Sequence, residues 1–268
     1  MIGLLSIVAV GFFLGMRHAT DPDHVIAVST IVSRQPKLAR AALIGAFWGL
    51  GHTVTIFVVG TAIILFNISI PPRIGLSMEL SVGVMLILLG LFNVASFLRA
   101  LPDAPPAGNS AAQVHVHPHT HGDYVHSHQH GHQPEAHPHS PQQTPLAFLD
   151  RLFGKSGLYQ HLRPLAIGIV HGLAGSAAVA LLVLATIRNA SWAIAYLLVF
   201  GVGTIAGMMV ITMSLATAIK AVSARSQTIS HRLAIASGIL SLVFGCLVVY
   251  QIGFVNGLFT NHPLWTPR

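Results

Sequence analysis

Residues 2–32 read IGLLSIVAVGFFLGMRHATDPDHVIAVSTIV, and this stretch decides the fold. It is longer than the roughly 20 residues that cross a hydrocarbon core, yet a run of ionisable residues interrupts it at 17–24. The whole chain of 268 residues is 53% hydrophobic and 8% charged, whereas soluble domains carry about 25% charged residues. Because this composition cannot supply a water-facing surface, the sequence predicts an all-α polytopic membrane protein.

Further apolar stretches indicate how often the chain crosses the bilayer. The six predicted transmembrane helices are residues 2–32, 38–66, 76–98, 164–187, 192–219 and 233–259. Eight of the fifteen prolines lie between Pro102 and Pro145, which is typical of a linker without a core. The predicted parts are therefore a first three-helix transmembrane repeat (1–99), a linker (100–162) and a second three-helix transmembrane repeat (163–268).

Weak internal similarity relates these two halves. Gly15-x-x-His18 is echoed by Gly168-x-x-His171, and the other matches are Gly51 with Gly203 and the pair Gly83 and Gly90 with Gly238 and Gly245. Since each half has an odd number of spans, the second copy enters the membrane in the opposite orientation, as in inverted-repeat transporters. The alternative is that small residues recur by chance wherever membrane helices pack closely.

Basic residues predict the orientation in the membrane. One set of alternate loops contains ten of them: Arg34, Lys37, Arg40, Arg99, Arg151, Lys155, Arg163, Lys220, Arg225 and Arg232. The other side has only Arg73, Arg188 and Arg268. The positive-inside rule then predicts a cytoplasmic linker and two extracytoplasmic termini in a bacterial or archaeal-type cytoplasmic membrane. The basic residues form no run or stripe, which argues against a nucleic-acid partner.

Two observations limit the chemistry and the processing of the chain. Its single cysteine, Cys246, has no partner for a disulfide or a thiolate metal site. The stretch 1–16 has neither a basic region nor a small-residue cleavage pattern, so we expect it to begin the first span. Because the chain has only one cysteine, any bound metal ion would have nitrogen and oxygen ligands.

The polar run at 17–24 predicts a break in the first helix. Ionisable groups in hydrocarbon cost several kcal/mol each unless they are paired, solvated or ligated. Pro22 lacks a backbone donor and clashes with the preceding turn, so we expect the helix to break near Asp21. In a straight helix His24 would point about 120° away from His18, whereas a break lets both converge with Asp23.

Two imidazoles and a carboxylate suit a borderline divalent ion such as Ni²⁺, Co²⁺, Fe²⁺ or Zn²⁺, because Ca²⁺ and Mg²⁺ require oxygen ligands. The alternative is that these groups only form hydrogen bonds or pair with Arg17 near a helix end. Four such groups within seven residues, beside a proline, favour metal binding over that alternative.

The motif His18-x4-Asp23-His24, preceded by Arg17, resembles the H-x4-D-H signature of the nickel/cobalt transporter (NiCoT) superfamily. Gly51-His52-Thr53-Val54 resembles the second G-H-[ST] motif of that family. His171-Gly172-Leu173-Ala174-Gly175-Ser176 stands where other members have an acidic D-T-A-T-E-like motif, and the acid expected after Gly207-Met208 is missing. The chain is thus most similar to the shorter urease-accessory-type branch.

This resemblance implies metal-binding roles for His18, Asp23 and His24, with Asp21 supporting them. His52 is the next candidate, since it lies mid-span among glycines that allow a close helix approach. His171 occupies the position of the second half that corresponds to His18. For His52 and His171 the alternative is a hydrogen-bonded packing histidine.

The linker carries a second histidine-rich feature. Its ten histidines within residues 115–139 are His115, His117, His119, His121, His126, His128, His130, His132, His137 and His139. Neutral imidazole is the metal-binding form, so we expect a flexible chelator that holds or senses metal ions. The alternative is a solvated low-complexity spacer.

These features together predict a secondary transporter for Ni²⁺ or Co²⁺, with uptake favoured and no prosthetic group. Alternatives are an exporter of the same ions, or a membrane metallochaperone that serves urease or hydrogenase assembly. The expected partners are the metal ion, the lipid bilayer and cytoplasmic metallochaperones. An enzyme is not expected, because the chain has no G-x-x-x-x-G-K-[ST] loop, no H-E-x-x-H motif and few acids.

Overall fold

The computed structural model describes residues 2–32, 38–66, 68, 70–99, 115–121, 124–130, 162–174, 187, 189–225 and 227–265. Seven α-helices lie in these ranges: α1 (Ile2–His18), α2 (Pro22–Val32), α3 (Leu38–Phe66), α4 (Pro72–Arg99), α5 (Leu162–Ala174), α6 (Ala190–Arg225) and α7 (Gln227–Tyr250). One π-helical turn, Gln251–Val255, continues α7.

Four helical stretches are long and apolar enough to cross a membrane: Leu38–Phe66, Pro72–Ala95, Ala190–Val222 and Arg232–Val255. They coincide with the second, third, fifth and sixth predicted spans. Their outward surfaces are apolar, with Val58, Val202 and Leu247 each about 60% exposed, as expected of lipid-facing side chains. The chain is a multi-pass membrane protein.

The first predicted span consists of two helices, as the proline predicted. α1 has 17 residues and α2 has 11, and the turn between them contains the polar motif. Of the fourth predicted span (164–187), the structure describes α5 and Ile187. The part from 175 to 186 lies outside the described residues.

The histidine-rich linker contains regular structure that the sequence did not predict. Strands β1 (His115–His121) and β2 (Tyr124–His130) form an antiparallel hairpin. Its register pairs His117 with His128 and His119 with His126. The sequence predicted a flexible linker here, and the hairpin is a local element within it, whereas the described membrane-spanning part of the chain is helical as predicted. The rest of the predicted chelator lies outside the described residues.

Glycines bring helices of the two halves into backbone contact. A Cβ atom at Gly15 on α1 would overlap the carbonyl oxygen of Phe200 on α6. A Cβ atom at Gly203 on α6 would overlap the carbonyl oxygen of Phe12. Without a hydrophobic driving force between helices in lipid, such close packing is a main source of association. These glycines therefore dock α1 onto α6.

The same relation holds between α3 and α5. A Cβ atom at Gly51 would overlap the carbonyl oxygen of Leu165, and one at Gly168 would overlap that of Trp48. α4 and α7 meet likewise at Gly83, Gly90, Gly238 and Gly245. Every glycine that the sequence comparison matched between the halves thus lies at a contact between one half and the other.

Candidate metal centre

The turn between α1 and α2 is a helix stop followed by a helix restart. The backbone carbonyl of Asp21 accepts the first hydrogen bond of α2, from the amide of Val25 at 3.1 Å. Pro22 is the first residue of α2, where its missing amide hydrogen costs nothing and its fixed φ favours the helix. Asp23 follows in the first turn, where the helix dipole stabilises a negative charge.

Asp21 faces His18. Its Oδ2 lies 2.8 Å from Nδ1 of His18, and its side chain is 47% exposed whereas that of His18 is 17% exposed. A carboxylate can only accept hydrogen bonds, so Nδ1 of His18 carries the proton. The Nε2 atom of His18 is then a lone pair that faces His52.

His52 approaches His18 from α3. The two Nε2 atoms are 3.0 Å apart, and His52 is fully buried. Thr53, the next residue, donates a hydrogen bond to the carbonyl of Gly201 on α6 at 3.1 Å. Thr55 lies 3.1 Å from the carbonyl of Ile169 on α5. These two bonds orient α3 so that His52 points at the break.

Asp23 joins two histidines from different helices. Its Oδ1 lies 3.0 Å from Nδ1 of His24 and accepts the backbone amide of His24 at 2.9 Å. Its Oδ2 lies 2.9 Å from Nε2 of His171 on α5. By the same acceptor argument, His24 is protonated on Nδ1 and His171 on Nε2. One carboxylate therefore sets the tautomers of both rings.

His171 reaches this position because α5 packs very closely on α3. Gly168 and Gly172 lie on either side of it, and a Cβ atom at Gly172 would be 2.7 Å from the carbonyl oxygen of His52. His171 is 1% exposed, as is His24. The helix contact thus carries a polar side chain from the second half of the chain to the motif of the first half.

Three of the rings form a nearly equilateral triangle. The ring centres of His18, His24 and His52 are 4.9, 5.0 and 5.1 Å apart. Imidazoles that share one tetrahedral ion through bonds of about 2.0–2.1 Å have ring centres about 5 Å apart. One nitrogen from each ring lies within 4.8 Å of the other two. The triangle therefore has the dimensions of a three-histidine metal site.

A second group of possible ligands shares His24 with the triangle. It consists of Asp23, His24 and His171, whose ligand atoms also lie within 4.8 Å of one another. The ring centres of His24 and His171 are 4.1 Å apart. His171 and His52 are farther apart, at 6.0 Å. His24 is thus the residue common to both groups.

Several imidazole nitrogens in the cluster have no hydrogen-bond partner among the described residues: His24 Nε2, His52 Nδ1 and His171 Nδ1. A buried polar atom left without a partner costs about 1–3 kcal/mol. The other nitrogen of His24 and of His171 donates its hydrogen to Asp23, so the two atoms without a partner, His24 Nε2 and His171 Nδ1, are lone pairs. Buried lone pairs that no protein donor satisfies are suited to bind a cation.

Two aromatic residues that the sequence reasoning missed line the cluster. The indole of Trp48 is fully buried, stacks on His24 with ring centres 6.5 Å apart, and lies 5.7 Å from the ring of His171. Phe200 on α6 lies 5.6 Å from the ring of His18. The signal for Trp48 was its spacing, since residues four apart share a helix face and Trp48 precedes His52 by four.

The predicted site residues are all brought together, but in an unexpected arrangement. His18, Asp23 and His24 were expected to converge on one point, whereas Asp23 faces His171 and not His18. Asp21 contacts His18 on the more exposed side, which is compatible with a supporting role. Binding of an ion by these residues stays a prediction.

The cluster has a definite chemical character. It offers four imidazoles and one carboxylate, in a setting from which solvent is largely excluded. Such a set suits borderline divalent ions and offers few oxygen ligands for Ca²⁺ or Mg²⁺. In metal sites the ring nitrogen of a histidine that does not bind the metal typically donates to a carboxylate. Asp21 has that relation to His18.

Comparisons with known proteins identify the family of the chain. The family model described as "Cytochrome C biogenesis protein transmembrane region" matches residues 138–247, which is less than half of the chain. No solved structure matches the chain. The urease accessory protein UreH of Bacillus sp. (strain TB-90) is 36% identical over 258 residues, which cover 96% of this chain and 96% of that protein. The chain therefore belongs to the UreH family of urease accessory proteins, in agreement with its resemblance to the urease-accessory-type branch of the nickel/cobalt transporter superfamily.

Proposed function

We propose that this protein is a secondary transporter that moves divalent transition-metal ions, Ni²⁺ or Co²⁺ first, across the cytoplasmic membrane in the direction of uptake. The observation that carries the proposal is a cluster at a broken helix in an apolar bundle, in which the buried His24, His52 and His171 meet the partly exposed His18 and Asp23. Polar groups at such a depth are expensive unless they serve an ion pathway.

The triangle of His18, His24 and His52 is the proposed binding site of the transported ion. The Nε2 atoms of His18 and His52 are 3.0 Å apart, a little less than the spacing of about 3.4 Å for two nitrogens bound to one tetrahedral ion through bonds of about 2.1 Å. Asp21 and Asp23 hold the distal nitrogens of His18 and His24. Ligands held in this way lose little freedom when the ion binds.

The glycine contacts support an inverted repeat of two three-span halves. Gly15 corresponds to Gly168 in the predicted repeat, and α6 corresponds to α3. The contact of Gly15 with α6 therefore has a counterpart in the contact of Gly168 with α3. The contact of Gly83 with Gly245 likewise has a counterpart in that of Gly238 with Gly90. A chance recurrence of small residues does not require that contacts pair in this way. We propose that α1–α2 and α5 each belong to one of six spans, with relative motion of the halves exposing the cluster alternately.

In the proposed orientation the linker is cytoplasmic and both termini are extracytoplasmic. This orientation is based on the distribution of basic residues alone. Reporter fusions after Arg99 and after residue 265 test it. The six-span topology requires opposite compartments at the two points. The same compartment at both would overturn it.

Metal flux decides the function. Purified full-length protein in liposomes should accumulate radioactive nickel or cobalt, and His18→Ala should reduce the flux at least tenfold. His262→Ala is a matched control, because His262 lies in the exposed C-terminal segment away from the cluster. Equal flux by wild type, His18→Ala and empty liposomes would overturn the transport proposal.

A second candidate is a membrane metallochaperone, which the name of the relative favours, since that protein is a urease accessory protein. It would bind metal ions in the same cluster and deliver them without net flux. Tight binding by purified protein together with no flux into liposomes would support it. An exporter is separated from an importer by metal accumulation in expressing cells, which falls with export and rises with uptake.

A further inference from the structure

We propose that the cluster contains two successive positions for one ion, the triangle of His18, His24 and His52 and an adjacent position formed by Asp23, His24 and His171. The inference rests on the proposed transport function and deepens it. It assigns to Asp23 and His171 a role in passing the ion onward and not in its first capture.

The two groups are geometrically distinct. The Oδ2 atom of Asp23 lies 2.9 Å from Nε2 of His171, and both residues belong to the second group alone. His18 and His52 belong to the first group alone. The ring of His171 lies 4.1 Å from that of His24 and 6.0 Å from that of His52. An ion centred in the triangle is therefore not placed to bind His171 equally well.

His24 has the properties of a shared ligand. Its Nε2 is buried and has no hydrogen-bond partner among the described residues, while its Nδ1 contacts Asp23. His24 is thus common to both positions, and the ligand atom that it offers is Nε2, because Nδ1 carries the proton that Asp23 accepts. Because two divalent ions on one imidazole would repel each other strongly in a low-dielectric site, only one ion occupies the cluster at a time.

The second position also differs in which helices build it. The triangle comes entirely from α1, α2 and α3, whereas the second position joins α2 to α5. It thus includes a residue from the second half of the chain. His171 Nδ1 is buried without a partner in the described part of the chain, which a purely packing histidine would leave unexplained.

Binding and flux measured side by side test the two positions. The probes are Co²⁺ titrated into purified full-length protein, followed by visible absorption, and radioactive nickel flux in liposomes. The main variant is His171→Gln, whose side-chain amide can still donate to Asp23 but is a much poorer metal ligand. Asp23→Asn is the second variant, since its remaining carbonyl can still accept from His24. Thermal stability shows whether each variant is folded.

Two successive positions predict a split between binding and flux. His171→Gln should bind Co²⁺ within tenfold of wild type yet lose at least tenfold in flux. Asp23→Asn should also lose at least tenfold in flux. His52→Gln should lose at least tenfold in affinity. The cluster should bind one Co²⁺ per chain, counted separately from the ions that the linker histidines bind.

Other outcomes overturn the inference without ambiguity. If folded His171→Gln transports like wild type, the second position does not exist and the transport function stands. If it loses affinity as severely as His52→Gln, all ligands form one site. If wild type neither binds nor transports the metal ions, the proposed function itself fails, which is a different result.

Discussion

Residues 1–99 and 163–265 contribute alike to helix packing and very unequally to the cluster. Gly15 docks α1 onto α6 as Gly168 docks α5 onto α3. In contrast, the first half supplies His18, Asp23, His24 and His52, whereas the described part of the second half supplies only His171. Close helix packing and the supply of ionisable side chains to the cluster are thus separate requirements, which the two halves meet to different degrees.

The sharpest test of the unequal chemistry is His24→Ala. His24 belongs to both ligand groups, so its loss should weaken Co²⁺ binding at least 100-fold in calorimetry on purified protein. Thr20→Ala is the matched control from the same motif, because its exposed hydroxyl donates only to the carbonyl of Arg17 at 2.6 Å. A folded His24→Ala protein with wild-type affinity would show that the motif is structural.

Gly15→Ala and Gly168→Ala test whether the two halves contribute equally to helix packing. Each added methyl overlaps a backbone carbonyl of the facing helix, so each should lower the free energy of unfolding by about 1–3 kcal/mol. The two variants should show similar decreases in Tm. Gly11→Ala is the control, since its methyl would meet only side chains, the nearest atom being Cε2 of Tyr196 at 3.1 Å. Clearly different losses at the two sites would contradict the symmetric contacts.

Asp21→Asn tests the supporting role of the exposed carboxylate beside His18. The variant removes the charge beside Nδ1 of His18 but leaves the ring in place. Supporting residues of this kind change metal affinity by about 10- to 100-fold, so calorimetry should show an effect between those of His24→Ala and Thr20→Ala. An effect as large as that of His24→Ala would mean that Asp21 itself binds the ion.

The smallest effect on flux is expected from deletion of residues 112–141 in the linker. The residues of the described cluster all lie outside this segment, so flux at saturating metal should stay within about twofold of wild type. Flux at low metal should fall, because a tethered chelator raises the local metal concentration. Complete loss of flux in a correctly inserted deletion variant would make the linker part of the pathway.

Much of this architecture could be predicted from local sequence. The apolar spans follow from composition, and the helix break follows from Pro22 beside Asp21, because both are consequences of short-range backbone chemistry. The motif likewise indicated His18, His24 and His52 as neighbours. The hairpin at 115–130 was missed, because histidine-rich alternation has no strong preference that distinguishes a strand from a coil.

Only the tertiary structure decided which residues face each other across the bundle. Asp23 and His171 are 148 positions apart, and no periodicity in either segment indicates that one carboxylate holds two histidines. That contact depends on the docking of α5 onto α3 at Gly51 and Gly168, and on the angle between α1 and α2. A sequence specifies which helix faces are apolar or small, whereas the pairing of those faces, and hence the partner of each buried polar atom, is settled only when all the helices pack together.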